Sequence, residues 1–293
     1  VRQITTDDLR RYLTNYQVQR RSSKVTIDNI RRILSSFFSW LEDEDFIVKS
    51  PVRRIHKVKT AKVVKDTYTD EALELMRDNC TTARDLAMID LLASSGMRVG
   101  ELVSLNRDDI DFEKRIISIN HSLVYYSREY KGHGICSFAV SLPKTEAGIR
   151  MIPMLDTVYE ALKREYAFQE ENGFNETEID GMSGFVFSNR FGNVHNPQAI
   201  NRAIKRIYEA YNVEEVLKAA KEKREPILIP HFSCHHLRHT FCSRFCENET
   251  NLKVIQSIMG HANIETTMDI YAEVTETKKH ESMQELAKKL DVF

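Results

Sequence analysis

Residues 231–240 read HFSCHHLRHT, the most informative stretch of this sequence. His235 and Arg238 lie three residues apart, so they share one face of a helix. We predict that this helix covers residues 235–247. A histidine and an arginine on one helix face form a polar pair that core packing alone does not require.

A second group of polar residues follows in residues 259–274, which read MGHANIETTMDIYAEV. Gly260-His261 marks a helix boundary, and we predict that a helix over residues 264–271 carries Tyr271. A tyrosine in an amphipathic helix is usually a packing residue. The interest of Tyr271 therefore depends on the polar residues that precede it.

Further upstream, residues 94–102 read SSGMRVGEL and follow an apolar helix predicted over residues 82–95. Arg98 stands beside glycines at the start of the next helix. A guanidinium there is well placed to hold an anion, because the helix N-terminus attracts negative charge. Glu101 lies one turn further on and is placed to orient Arg98. A capped helix start with a local ion pair would give the same pattern.

Lys144 lies in residues 141–154, which read SLPKTEAGIRMIPM. We predict two strands around a turn at Thr145–Gly148. A lysine at a hairpin tip can reach a substrate oxygen and give it a proton, although taken alone it is an ordinary surface lysine.

Taken in order, these motifs resemble those of the tyrosine recombinase (phage integrase) family. The resemblance rests on Arg in GMRVGEL, Lys in a following β-turn, HxLRHT, then GH and a Tyr in TxxxY. The set spans Arg98 to Tyr271. Each motif is modest, but the ordered set is specific because independent chance matches would have to coincide. A hairpin insertion over residues 121–140 resembles the integrases of conjugative transposons.

The resemblance implies a phosphoryl-transfer role for each of these residues. Tyr271 would attack a DNA phosphate and form a 3′-phosphotyrosine link. Arg98 and Arg238 would hold the non-bridging oxygens, each with two hydrogen bonds. His261 would donate another hydrogen bond to the same oxygens.

The remaining motif residues would handle the protons. Lys144 would be the general acid for the departing 5′ oxygen, and His235 would orient the tyrosine or accept its proton. Glu101 would support Arg98. The covalent link keeps the energy of the broken bond, so no ATP and no other cofactor is expected. Positive side chains take the place of a metal, so no metal is expected either.

Charge is spread unevenly along the 293 residues. Residues 1–65 hold 15 Lys and Arg residues against 7 Asp and Glu residues, whereas the rest hold 27 against 36. Such asymmetry suggests a polyanion partner for the basic end. We predict a helical domain over residues 1–57, a basic linker over 58–67 and a catalytic domain over 68–293 with a tail helix over 276–290.

The first domain has two predicted helices, the second of which covers residues 24–43 with an apolar stripe from Val25 to Leu41. The resemblance implies that this domain binds the core DNA site. It also implies that the two domains together form a clamp on the duplex. The family usually has a further helix before residues 5–13 and often an arm-binding domain, so we expect this chain, which begins at Val1, to be a fragment. The residues expected to meet DNA phosphate are Lys24, Arg31, Arg32, Arg53, Arg54, Lys57 and Lys59.

The pattern as a whole predicts a fold that is mainly α with a small antiparallel β-sheet (α+β). The composition is 42% hydrophobic and 29% charged, typical of a soluble globular protein. No apolar run is long enough to cross a bilayer. Besides the elements above, we predict a helix from Thr69 to about Asn79, a strand over 109–119 and helices over 155–171, 197–212 and 251–258.

The resemblance also implies partners. Double-stranded DNA is the first, and a homo-oligomer on DNA, from dimer to tetramer, is the second. The tail helix would pack onto a neighbouring protomer or onto its own domain. An accessory directionality factor is a further partner of such enzymes, and the place of action is the bacterial cytoplasm.

Three alternatives stay open. A type IB topoisomerase shares this chemistry, but the tail helix and the small basic domain favour a recombinase. A non-catalytic architectural DNA-binding protein is a second alternative, which the filled catalytic positions argue against. A metal protein is the third, because His235 and His239 lie one helical turn apart beside Cys234. The five cysteines lack the spacing of a disulfide framework or a zinc set, which favours free thiols.

Overall fold

The chain folds into two compact units, Val1–Val64 and Lys65–Phe293, and each has its own hydrophobic core. The computed structural model describes residues 3–57, 67–130, 133–143, 145–189, 191–275 and 283. The predicted linker lies outside the described residues up to residue 66, so the domain boundaries stay a prediction. The predicted tail helix also lies outside them, apart from Met283.

Two helices make up the first unit, α1 (Thr6–Arg20) and α2 (Lys24–Asp43). The hydroxyl of Thr5 accepts a hydrogen bond from the N–H of Asp8, whose carboxylate accepts one from the N–H of Thr5 at 3.0 Å. This reciprocal cap fixes the start of α1. The hydroxyl of Ser23 caps α2 in the ordinary way, and α2 has the bounds that its sequence predicts.

The prediction that the apolar stripe of α2 packs in the core is partly wrong. Phe38 and Leu41 are buried in the core of the first unit, but Val25, Phe37 and Ile33 are exposed, Ile33 by 70%. The small core of the first unit, with Leu9 of α1 and Val52 of the segment after α2, covers only a narrow face of α2. The rest of the stripe consequently faces away from the described core.

Helices dominate the second unit. Thr69 caps the first of them and Asn196 caps the longest, with proline at its first helical position. The longest helix runs ten residues beyond its predicted end at residue 212, because its apolar spacing weakens there while nothing in the sequence stops it. The helices are α3 (Asp70–Asp78), α4 (Ala83–Ser95), α5 (Val99–Ser104), α6 (Asp156–Asn172), α7 (Pro197–Glu222), α8 (Cys234–Asn248), α9 (Leu252–Met259) and α10 (264–275).

Two small antiparallel sheets accompany these helices. The strands are β1 (Ile110–Asp111), β2 (Ile116–Ile119), β3 (Ser122–Tyr130), β4 (His133–Ser141) and β5 (Arg150–Pro153). One sheet has the order β1–β2–β5, and the other consists of β3 and β4 alone, the hairpin insertion predicted over residues 121–140.

Two strand predictions are wrong in their pairing. The strand predicted over 109–119 is a hairpin of β1 and β2, because the N–H and ammonium of Lys114 bond to Asp111 and Arg115 adopts a positive φ of 53°. The two strands predicted around residues 145–148 do not pair with each other. β5 pairs with β2 instead, with Arg150 opposite Ile119.

α4 is the centre of the second unit. Leu91 and Leu92 have no exposed surface, and the helix packs against α6 and α8. It ends at Gly96, which has a φ of 65°, and a Cβ there would come within 2.5 Å of the Phe241 ring. Glycine is therefore required where the chain turns from α4 towards Arg98.

The predicted fold class is confirmed: the chain is mainly helical with small antiparallel sheets. Among the described residues, no helix is both long and apolar enough to cross a membrane.

Candidate active site

A cavity of about 680 Å³ in the second unit brings together four of the predicted site residues. Arg98 comes from the start of α5, and His235 and Arg238 come from the first turns of α8. His261 follows the C-terminus of α9. Four side chains, the first and last of them 163 residues apart in the sequence, thus border one space.

Arg98 is held by contacts on both sides of its guanidinium. Its Nη1 donates to Oε1 of Glu101 at 2.8 Å, and its Nη2 donates to the carbonyl oxygen of Gly260 at 2.7 Å. The side chain stays 45% exposed. The contacts fix the direction of the guanidinium while leaving part of it open to the cavity.

Glu101 is a buried carboxylate shared by two arginines. It accepts bonds from the backbone N–H of Arg98 at 2.7 Å and from both Nη atoms of Arg150 at 3.0 and 2.8 Å. Burial works to raise the pKa of Glu101, but the bonds and charges of Arg150 and Arg98 outweigh it and lower that pKa. The carboxylate is therefore ionised at neutral pH.

Arg238 is buried with its guanidinium against backbone. It donates to the carbonyl oxygens of Gly96 and Met259, which end α4 and α9. Burial, followed by the charge of Arg98, lowers the pKa of Arg238 to about 9. Arg238 is therefore still a cation at neutral pH, close to the charge of Arg98. Two neighbouring positive charges are what an anion-binding site requires.

His261 is buried beside these cations. Its Nδ1 lies 2.9 Å from the hydroxyl oxygen of Thr267 on α10. Burial and then the charges of Arg238, Arg98 and Arg150 lower the pKa of His261 to about 4. The imidazole is therefore neutral at neutral pH and acts as a hydrogen-bonding group and not as a further charge.

Tyr271 is not among the residues that line the cavity in the described part of the chain. It lies on α10, half-buried against a second core cluster that includes Cys246 and Ile255. Lys144 lies outside the described residues, so its predicted role stays untested. His235 is exposed at the cavity.

Comparison with known proteins shows what this constellation belongs to. The model of the Phage integrase family matches residues 62–278, and that of the phage integrase N-terminal SAM-like domain matches residues 1–47. The chain belongs to the phage integrase family. The resemblance inferred from the motifs is thereby confirmed.

Individual integrase relatives support this membership. The chain is 31% identical over 271 residues to the transposase from transposon Tn916 of Enterococcus faecalis, covering 90% of this chain and 62% of that protein. It thus spans less than two thirds of that relative. It is 30% identical over 264 residues to tyrosine recombinase XerC of Thermodesulfovibrio yellowstonii, covering 88% of this chain and 74% of the relative.

The fold of this integrase-family chain also matches solved structures. The Tn1549 transposon integrase in complex with transposon right end DNA superposes with a TM-score of 0.74 at 27% identity, over 97% of this chain and 86% of that one. The same integrase with a circular intermediate DNA gives 0.74 at 25% identity, over 96% and 86%. The predicted likeness to conjugative-transposon integrases is confirmed.

Reasoning from the sequence missed several residues around the integrase site. Arg202 and Lys205 of α7 line the cavity with Asn201. Their spacing of three to four residues on one helix was a signal that could have found them. Arg150 gave no local signal, because its partners lie in α5 and near the end of α9.

In the first unit the predicted DNA-binding residues differ in their ion pairs and in the exposure of their side chains. Arg31 and Arg32 both pair with the buried carboxylate of Asp28, and the Arg31 side chain is only 16% exposed. This ion pair holds the Arg31 guanidinium, and the contact of Arg31 with phosphate stays a prediction. Arg53 pairs with Glu42.

The other predicted DNA contacts of the first unit can be placed briefly. Lys24, Arg54 and Lys57 are exposed, and Lys59 lies outside the described residues.

The described residues give no support to the metal alternative. Across them, no group of three or more His, Cys, Asp or Glu side chains is placed to hold a metal ion. All five cysteines are free thiols, and Cys234, Cys242 and Cys246 are buried.

Proposed function

We propose that this chain cleaves and rejoins DNA strands through a covalent 3′-phosphotyrosine intermediate at Tyr271. The observation that carries the proposal is the convergence of Arg98, Arg238 and His261 at one cavity, in a chain that belongs to the phage integrase family. The wider context is site-specific recombination, with excision and integration of a mobile element.

The cavity fits a transferring phosphate. Arg98 and Arg238 are fixed by bonds to backbone carbonyls, so their charges are in place before substrate arrives. Phosphoryl transfer depends mainly on positioning and charge stabilisation. Such preorganised donors gain strength where water is excluded, and each typically contributes about 10²–10³ in rate.

The proposed reaction balances with this chain's own side chains. The hydroxyl oxygen of Tyr271 forms a bond to phosphorus and the bond from phosphorus to the 5′ oxygen breaks. His235 orients the tyrosine or takes its proton, and Lys144 gives a proton to the leaving oxygen. Religation reverses these steps with a new 5′ hydroxyl. Tyr271 is half-buried on α10 and is not among the residues that line the cavity. Helix α10 must therefore bring the tyrosine hydroxyl to the cavity when DNA is bound.

The substrates are the ends of a DNA element of the conjugative-transposon type. Support comes from relatives that are named for transposons Tn916 and Tn1549, the latter in complexes with transposon DNA. Both units bind the duplex, and the basic first unit supplies phosphate contacts. Protomers assemble on DNA through the tail helix, with an accessory factor setting direction, in the bacterial cytoplasm.

Covalent trapping tests the proposal. The chain is mixed, without ATP, with nicked duplexes taken from the ends of the element that encodes it. The nick lets the cleaved end diffuse away, so religation fails and a denaturant-resistant protein–DNA band accumulates. Tyr271→Phe abolishes that band.

Tyr159→Phe is the matched control, because Tyr159 is another half-buried tyrosine whose ring packs against Phe112, away from the cavity lining. This control variant retains the band. A band that persists in Tyr271→Phe, or tight DNA binding without any band from the unaltered chain, contradicts the proposal.

A further inference from the structure

Arg150 is a deeply buried cation near the proposed site. It begins β5 and its side chain is 3% exposed, yet it is not among the residues that line the cavity. A buried arginine needs partners for its charge and its donors, since an unpaired buried cation is costly. The partners of Arg150 therefore indicate what it does.

Those partners lie in three separate segments. The guanidinium bonds to Glu101 with both Nη atoms, at 3.0 and 2.8 Å. Its Nε donates to the carbonyl oxygen of Ile258 at 2.7 Å, and Nη1 also approaches the carbonyl oxygen of Gly148 at 3.3 Å. One side chain thus joins the start of α5, the end of α9 and the turn before β5.

Each joined segment carries a residue of the proposed reaction. Glu101 holds Arg98 through the backbone N–H and the guanidinium. Ile258 precedes the turn at Gly260, whose carbonyl accepts from Arg98, and His261 follows immediately. Gly148 lies four residues after Lys144. The bidentate geometry matters, because the planar guanidinium bonds both carboxylate oxygens in parallel while its Nε bonds a backbone carbonyl, and an ammonium does not match that geometry.

We infer that Arg150 is a positioning residue that holds Arg98 and the Gly260-His261 turn in the geometry needed for phosphoryl transfer, by fixing Glu101 and the end of α9. This role rests on the proposed function and assigns a task to a residue outside the reacting set. Arg150 is not among the residues that line the cavity, so it acts through Glu101 and the backbone.

Electrostatics supports the same role. Glu101 supplies one negative charge between two guanidinium groups, so the cluster keeps a net positive charge beside the cavity. If Arg150 were absent, the whole charge of Glu101 would fall to Arg98, which would then offer less attraction to a phosphate. The charge of Arg150 also contributes to keeping His261 neutral.

The test compares Arg150→Lys with Arg84→Lys. Arg84 forms another buried ion pair of the same unit, with Glu165, and is not among the residues that line the active-site cavity. Both variants keep the charge and lose the bidentate geometry. We expect Arg150→Lys to slow adduct formation on the nicked duplex by about 100-fold, as for a small misplacement of reacting groups. DNA affinity should change less than threefold, and Arg84→Lys should change neither quantity more than threefold.

A second measurement does not depend on cleavage. Histidine-labelled protein reports the titration of His261 by NMR, with His261→Asn used for assignment. In Arg150→Gln the buried positive charge is gone, so His261 should titrate at a higher pH than in the unaltered chain. Arg84→Gln should leave the titration of His261 unchanged. A merely destabilising effect would act in both variants and would not separate them.

The outcomes separate the two proposals. If the unaltered chain forms the Tyr271 adduct and Arg150→Lys is no slower than Arg84→Lys, the positioning role is overturned while the function stands. If the unaltered chain forms no adduct, the function fails. An unmoved His261 titration in Arg150→Gln would then overturn the structural part of the inference as well.

Discussion

Gly260 lies directly against the guanidinium of Arg150: a Cβ added at Gly260 would come within 2.9 Å of Nη1 of Arg150 and 3.0 Å of the Ala147 carbonyl oxygen. Gly260 also has a φ of 61°, a conformation that L side chains adopt only at a cost of about 1–2 kcal/mol. The glycine of the GH motif is thus required by its backbone and by its neighbour.

Gly260→Ala is expected to destabilise the chain by more than backbone strain alone and to slow adduct formation. Gly181→Ala is the control, because Gly181 has a φ of 79° with nothing within 4 Å of an added Cβ. Urea unfolding of both variants measures the difference, which reports the close contacts with Arg150 and the Ala147 carbonyl. Equal losses of unfolding free energy in the two variants would contradict this interpretation.

The stability of the chain should depend on pH through His261. Its pKa is about 4 in the folded protein against 6.5 as the ordinary value, so the unfolded chain binds more protons between these limits. The unfolding free energy should therefore fall as pH drops from 6.5 to 4, by up to about 3 kcal/mol. In His261→Asn the curve should be flatter in this window, as followed by urea unfolding at each pH. A variant curve parallel to that of the unaltered chain would refute the prediction.

Arg31→Ala and Arg32→Ala should both weaken DNA binding by a similar factor on unrelated sequences, because phosphate contacts carry no base information. Each should reduce the slope of log affinity against log salt by about 1. Arg31→Ala should also lower the unfolding free energy by about 1–3 kcal/mol, since it removes a partner of the buried Asp28. Arg32 is 64% exposed and its loss should cost less.

Anisotropy titrations on two unrelated duplexes and urea unfolding check these values. A loss of affinity confined to one sequence would mean that the replaced arginine reads bases.

Alkylation should distinguish the exposed thiol of Cys136 from those of Cys80 and Cys234. Cys136 is exposed on β4, whereas burial raises the pKa of Cys80 and of Cys234 to about 12. The thiolate is the reactive form, so iodoacetamide at pH 8 should label Cys136 at least tenfold faster than Cys80 or Cys234. Peptide mass spectrometry over time gives the rates. Comparable labelling of Cys234 would show that α8 opens readily at its start.

Much of the fold could be predicted from local sequence. Helix α2 has its predicted bounds, and the Thr69 cap starts α3 as expected, because capping and helical periodicity are local signals. Residues 109–119 were different. Their alternation of apolar and polar residues fits a single continuous strand as well as a hairpin of two strands. The reversal depends on the contacts of Lys114 with Asp111, which periodicity does not report.

The site shows the same division. Arg98, His235, Arg238 and His261 were named from ordered motifs, and the structure brings them to one cavity. Arg150 could not be found in this way, because its significance depends on β5 pairing with β2 and on carbonyl oxygens, which every residue has. The ion pair that holds Arg31 was missed for a similar reason, since the burial of Asp28 is a tertiary property.

The carboxylate of Glu101 has a consequence for any attempt to move this site to another scaffold. Two guanidinium groups share it, one only three residues away and the other 49 residues away. Transplanting GMRVGEL alone would carry a carboxylate that has lost its second cation and would then draw Arg98 away from its ligand. Positions 98, 101 and 150 must therefore be transferred together. In libraries of variants, combined changes at these positions should retain activity more often than single changes.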